Sequence, residues 1–160
     1  FALATLSRAR DLLPRFAYRV LGGGNQEAWI ELAQKYGLGD LVYFDGPLPS
    51  GAAVFDWLDC IDIYLQPSLR EGVPRALIEA MSRGCPAIAS NIAGIPELLD
   101  QRWLHPPSDA GRLRECILAM IPSEIRKRES IRNFVKAQEY SIEKIQPKRD
   151  KFWRSFAEST

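Results

Sequence analysis

The stretch "PSLREGVPRALIEAMSRGCPAIAS", residues 67–90, decides the fold. Pro67 and Ser68 end the apolar run "IDIYLQ". After Gly72, which lets the backbone turn, Leu77, Ala80 and Met81 recur at helical spacing as far as Gly84, with Pro74 or Arg75 in the first turn. "PAIAS" then reads as a short buried strand. Strand, helix and strand in succession predict a crossover between parallel strands. The same stretch sets Glu71 at the lip of the helix and Glu79 in its second turn. Between them lies a helix start whose free amides and dipole favour an anion.

The alternation extends both ways. "TLSRARDLLPRF" predicts an amphipathic helix, and "AYRVLGGG" a buried strand stopped by glycines. "NQEAWIELAQKYGL" predicts a helix capped by Asn25 and ended at Gly37. "LVYFDG" is a strand, and "GAAVFDWLDC" a helix begun near Ser50. "NIAGIPELLD" predicts a turn and a short helix; beyond Ser108 helices dominate, over 109–121, 123–139 and 142–158. The expected fold is α/β: one Rossmann-like parallel sheet with helices on both faces, forming a single domain over 1–160 that is helical from residue 109 onward. Such sheets bind ligands beyond the C-terminal ends of their strands, here loops 22–25, 46–50, 68–74 and 91–97.

The composition fits one core. The chain has 160 residues, 46% hydrophobic and 26% charged. A formal charge of +1 argues against bulk electrostatic binding to nucleic acid or to an anionic membrane. No apolar run reaches the roughly 18 residues of a membrane span. Cys60, Cys85 and Cys116 are scattered, without a CxxC spacing, and read as reduced thiols in a cytoplasmic context.

Several motifs compete for the site. "LGGGNQ" approaches a dinucleotide fingerprint, but Glu27 stands where its third glycine belongs. Asp45 lies at a ribose partner's distance downstream, so a tight turn and a close backbone approach to a ligand both stay open. Glu71 and Glu79 suit the hydroxyls of a vicinal diol, in a ribose or a sugar, with Arg70 and Arg75 to offset a phosphate. The alternative is a capping acid beside surface arginines. A glycosidase pair fits less well, because the two acids flank a helix start instead of facing each other across a cleft. Gly94, Pro96 and Glu97 shape a further strand-end loop. His105 is expected to be surface or packed, and Trp29, Trp57, Trp103 and Trp153 to lie in the core.

Taken together, "PSLREGVPRALIEAMSRGCPAIASNIAGIPELL" resembles the donor-site signature of family 4 retaining glycosyltransferases (glycosyl transferases group 1), of the GT-B fold. The shared elements are Pro67, Ser68, Glu71, Gly72, Glu79, Ala80, Met81, Gly84, Pro86, Gly94, Pro96 and Glu97. "YRVLGGG" and "LVYFDG" match two preceding strand ends, so the likeness runs from residue 1 to 121. The resemblance implies that Glu79 holds the ribose of a nucleotide-diphosphate sugar and that Glu71, the catalytic candidate, touches the donor sugar. It implies that the amides of Gly72, Val73 and Arg75 lie near the diphosphate, that Gly46, Pro47 and Leu48 lie by the base, and that Gly94, Ile95 and Pro96 border the pocket. No metal and no cofactor beyond this substrate is expected.

The resemblance also carries a Gly-Arg and a Lys-Gly as main diphosphate cations, ahead of the first helix, and a first strand; none is found here. The chain is therefore expected to be the donor-binding C-terminal domain of a longer enzyme, inactive without an N-terminal acceptor domain and prone to self-association. That enzyme would be cytoplasmic or peripheral on the inner membrane face. Two other readings are a sugar-nucleotide 2-epimerase of the same architecture and a non-catalytic nucleotide-binding module. In the last helix, Pro147 is expected to kink or break the stripe formed by Ile142, Ile145, Phe152, Trp153 and Phe156.

Overall fold

The computed structural model describes residues 1–158. Helix and strand alternate as α1 (Ala2–Ala9), β1 (Tyr18–Leu21), α2 (Glu27–Lys35), β2 (Val42–Gly46), α3 (Ala52–Leu58), β3 (Tyr64–Gln66), α4 (Arg75–Ser82) and β4 (Ala87–Ser90). A two-residue β5 (Leu104–His105) follows, then α5 (Ala110–Met120), α6 (Ser123–Ala137) and α7 (Ile142–Glu158). Every strand pairing is parallel.

The expected single sheet is divided. β1 pairs with β2, while β3, β4 and β5 form a second sheet in that order. A cavity of about 840 Å³ separates the facing edges of β1 and β3, lined by Arg15 to Leu21 on one side and Ile61 to Leu65 on the other. Pairing across that gap is a long-range matter on which local periodicity is silent. β5 was also missed, because two residues carry no period to read.

β4 shows why the sheet needs both helical layers. Ile88 packs with Leu3 and Leu6 of α1 and with Leu113, Ile117 and Met120 of α5. Its neighbours Ala87 and Ala89 point the other way, to Leu77 and Met81 of α4 and Ala137 of α6. Alternate side chains leave a strand on opposite faces, and all four residues of β4 are buried. Burying each Leu, Ile or Met there stabilises the fold by roughly 1.5–3 kcal/mol. The β3–β4 crossover ends at Gly84, whose φ of 73° disfavours a side chain. A Cβ there would also meet Ser130 of α6 at 3.0 Å. Asn133 on the same helix donates to the Cys85 carbonyl at 2.9 Å, fully buried.

Three expectations change. The first helix runs 2–9, followed by a turn of 3-10 helix over Arg10–Leu12, because Pro14 cannot extend it. α7 runs on through Pro147, since that residue is only six positions inside the helix and removes a single backbone donor. Of the tryptophans only Trp103 is core: Trp57 is half-buried at the cavity, and Trp29 and Trp153 are exposed. The α7 stripe stays uncovered at Ile142, Phe152, Trp153 and Phe156. Cys60, Cys85 and Cys116 are free thiols. Among the described residues no helix is long and apolar enough to cross a membrane.

Candidate functional site

The loop from Pro67 to Pro74 carries β3 into α4, and Gln66, the last residue of β3, turns its side chain into it. Glu71 is held there by two donors on one oxygen. Gln66 Nε2 reaches Oε1 at 2.7 Å and the Ser68 hydroxyl reaches it at 2.6 Å. Tyr64 in turn donates to Gln66 Oε1 at 3.1 Å. Burial, with the charges of Glu71 and Glu79 behind it, pushes the Tyr64 hydroxyl far above its usual pKa, so it stays a donor. No hydrogen bond within the described residues engages Glu71 Oε2.

The start of α4 is set by Pro74, whose φ of −77° and ψ of 69° form an inverse γ-turn. The Arg75 amide closes that turn on the Val73 carbonyl at 2.8 Å. It is thus occupied, although it was expected to face a diphosphate. The first bond into the helix runs from the Ile78 amide to the Pro74 carbonyl. Among the described residues the amides of Ala76 and Leu77 find no acceptor, as a helix start requires, and they replace the Arg75 amide as available donors. Sequence spacing could have suggested them only with the γ-turn in hand. Gly72 and Val73 are exposed on the loop, and so are Arg70 and Arg75, neither in an ion pair with a described residue.

Glu79 projects from the second turn of α4, exposed, and lines the cavity between the sheets. Gly22, Pro47, Leu48 and Ala76 line it too. Glu79, Pro47 and Leu48 thus share one cavity, while Gly46 sits at the end of β2 with a φ of 74°. Gly94 and Pro96 lie half-buried in the loop beyond β4. Ile95 between them is fully buried in the α4–α6 core, and its amide donates to Ile92, so it has no side chain to offer a ligand. In that loop Ala93 has a φ of 47°, a left-handed conformation rare for a residue with a Cβ.

Asp45 is not free. Arg19 Nε donates to its Oδ2 at 2.9 Å and Trp57 Nε1 to the same atom at 2.8 Å. Those partners, Arg19 first, hold the Asp45 carboxyl below its usual range. This removes the ribose partner that a dinucleotide fingerprint would need. His105, fully buried, places Nδ1 2.8 Å from the Pro106 carbonyl, which makes Nδ1–H the donor and leaves Nε2 without a partner among the described residues.

A family model described as "Glycosyl transferases group 1" matches residues 1–123. The chain is similar to protein CapJ of Staphylococcus aureus, 32% identical over 132 residues, which cover 82% of this chain and 34% of that protein. It is similar to the amylovoran biosynthesis glycosyltransferase AmsK of Erwinia amylovora, 38% identical over 119 residues, covering 68% of this chain and 29% of that one. The chain thus spans about a third of the length of these relatives. Among solved structures, Anabaena Alr3699/HepE in complex with UDP superposes with a TM-score of 0.79 at 21% identity, over 94% of this chain and 44% of that chain.

Proposed function

The chain belongs to the glycosyl transferases group 1, and from that premise we propose that it seats the sugar-nucleotide donor of a retaining glycosyltransferase. The observation that carries this reading is the start of α4, where Glu71, the unoccupied amides of Ala76 and Leu77, and Glu79 follow one another along the chain beyond the end of β3. That HepE was crystallised with UDP on a similar fold supports a nucleoside diphosphate as the core of the ligand.

In this assignment Glu79 accepts both hydroxyls of the ribose, a geometry one carboxylate satisfies with its two oxygens. The amides of Gly72, Val73, Ala76 and Leu77, with Arg70 and Arg75 beside them, meet the diphosphate. As the sugar–phosphate bond breaks, negative charge grows on that diphosphate, and donors already aimed at it lower the barrier. Glu71 contacts the sugar through Oε2. Gly46, Pro47 and Leu48 border the base, and Gly94 and Pro96 the far wall. The assignment calls for no metal and no cofactor beyond the donor.

The acceptor is taken up by another part of a longer enzyme, so this chain alone binds without transferring. The exposed apolar face of α7 supports an association surface, for such a domain or for a second copy. The free thiols suit a reducing, cytoplasmic setting. The name of AmsK favours glycosyl transfer over 2-epimerisation and supports a role in polysaccharide biosynthesis. Calorimetric titration with UDP, GDP and ADP tests the proposal. Saturable binding of one of them is expected, weakened by Glu79→Gln; heats of dilution only, for all three, would reject it.

A further inference from the structure

The Tyr64–Gln66–Glu71 chain is directional. A glutamine amide has a donor end and an acceptor end, and here the carboxylate beside it leaves no choice between them. The amide oxygen is turned to Tyr64, whose hydroxyl, kept protonated, donates to it. The carboxylate of Glu71 can only accept, so Nε2 faces Glu71. Each bond in such a row polarises the next towards the carboxylate. Gln66 is itself buried, with 9% exposure, where an unpaired amide would be costly. The Ser68 hydroxyl adds its bond to the same Oε1.

Resting on the donor-site assignment above, we infer that Gln66 is a positioning residue for Glu71, its amide oxygen held in turn by Tyr64. By saturating Oε1 from the protein side, Gln66 and Ser68 make the two oxygens of Glu71 inequivalent and leave Oε2 as the oxygen that meets the sugar. Sequence reading passed over Gln66, because a lone glutamine at a strand end carries no motif. Gln66 touches no ligand group in this scheme; it acts through Glu71. Its loss is therefore felt by the sugar half of the donor and spared by the nucleotide half.

The experiment compares UDP with UDP-glucose by calorimetry on wild type, Gln66→Met and Tyr64→Phe, with thermal melts of each. Gln66→Met keeps the length of the side chain and removes the donor. It is expected to weaken UDP-glucose about 5- to 10-fold while changing UDP less than about 2-fold. Tyr64→Phe leaves the buried amide oxygen of Gln66 without its donor and should cost UDP-glucose about 2- to 5-fold, and it carries the test if Gln66→Met fails to fold. In wild type, one Gln66 side-chain amide proton should be shifted downfield and protected from exchange, and Glu71→Ala should abolish both features. An equal loss for both ligands, or no loss for either, overturns the inference and leaves the row a support of the loop. If GDP or ADP is the nucleotide bound, the comparison is made with it and its glucose conjugate; wild type that binds none of the three overturns the donor-site assignment itself, and this inference with it, before any variant is compared.

Discussion

Two of the turns that lead from a parallel strand to a helix contrast sharply, Gly22 to Gln26 after β1 and Pro67 to Pro74 after β3. The first is made of backbone. Gly22 and Gly24 have φ values of 142° and 111°, and a Cβ on either would meet nothing within 4 Å. Asn25 accepts from the Glu27 amide at 3.0 Å, and the acid that a nucleotide would need, Asp45, is spent on Arg19 and Trp57. The second is made of side chains: Gln66 and Ser68 clamp Glu71, Pro74 shapes the helix start, and Glu79 stands clear. Glycine-rich turns draw the eye in a sequence, but in the proposed assignment the donor is met at the second turn, where a carboxylate is held in one orientation.

The largest effect that would break this contrast is on nucleotide affinity. Glu79→Gln should weaken the best-bound nucleoside diphosphate by about 1–3 kcal/mol, roughly 5- to 150-fold, without lowering the melting temperature, since its side chain is exposed. Asp45→Asn at the first turn should change that affinity less than about 2-fold. Calorimetry on both variants reverses the assignment if Asp45 proves the more important. Glu71→Gln comes next: plain nucleotide should bind nearly as before while the sugar nucleotide loses about 1 kcal/mol or more. Equal losses for the two ligands would merge the roles of the two carboxylates.

Glycine substitutions sharpen the contrast further. Gly22→Ala should cost stability of about 1 kcal/mol, because a φ of 142° is a poor one for alanine. Gly72 does lie in a bend of the chain, but without a positive φ, and a Cβ added there would meet nothing within 4 Å, so the bend itself does not require glycine. Gly72→Ala should leave the melting temperature unchanged and weaken nucleotide by about 5-fold, if ligand comes close to that backbone. The smallest effect is on pH. The Asp45 carboxyl is held below its usual range, so its ion pair adds stability above the ordinary aspartate pKa of about 3.9 and loses it as pH falls through the lowered value. With Arg19 partly exposed, Asp45→Asn should remove about 0.2–1 kcal/mol at neutral pH and flatten the acid limb of a denaturation series.

The layer order was legible because the elements up to β4 are short and patterned, several of them bounded by Gly or Pro, as at Gly37 and Gly84. So were the strand end and the helix start that flank Glu71 and Glu79, since both are local features. What lay outside reach depends on distant partners. Whether Trp29 and Trp153 are covered, whether Ile95 points inward, and that β1 and β3 do not pair are settled by packing across the chain. The lock on Glu71 joins Tyr64 and Gln66 at the end of a strand to a loop that has to fold back over them.

The most direct measurement follows backbone amide shifts of this chain during titration with UDP, GDP and ADP. The account predicts saturable shifts over residues 71–80 with at least one nucleotide, largest at the amides of Ala76 and Leu77, and smaller ones at 22–26. Shifts centred on residues 22–26 with 71–80 silent, or no shifts with any of the three, would contradict it.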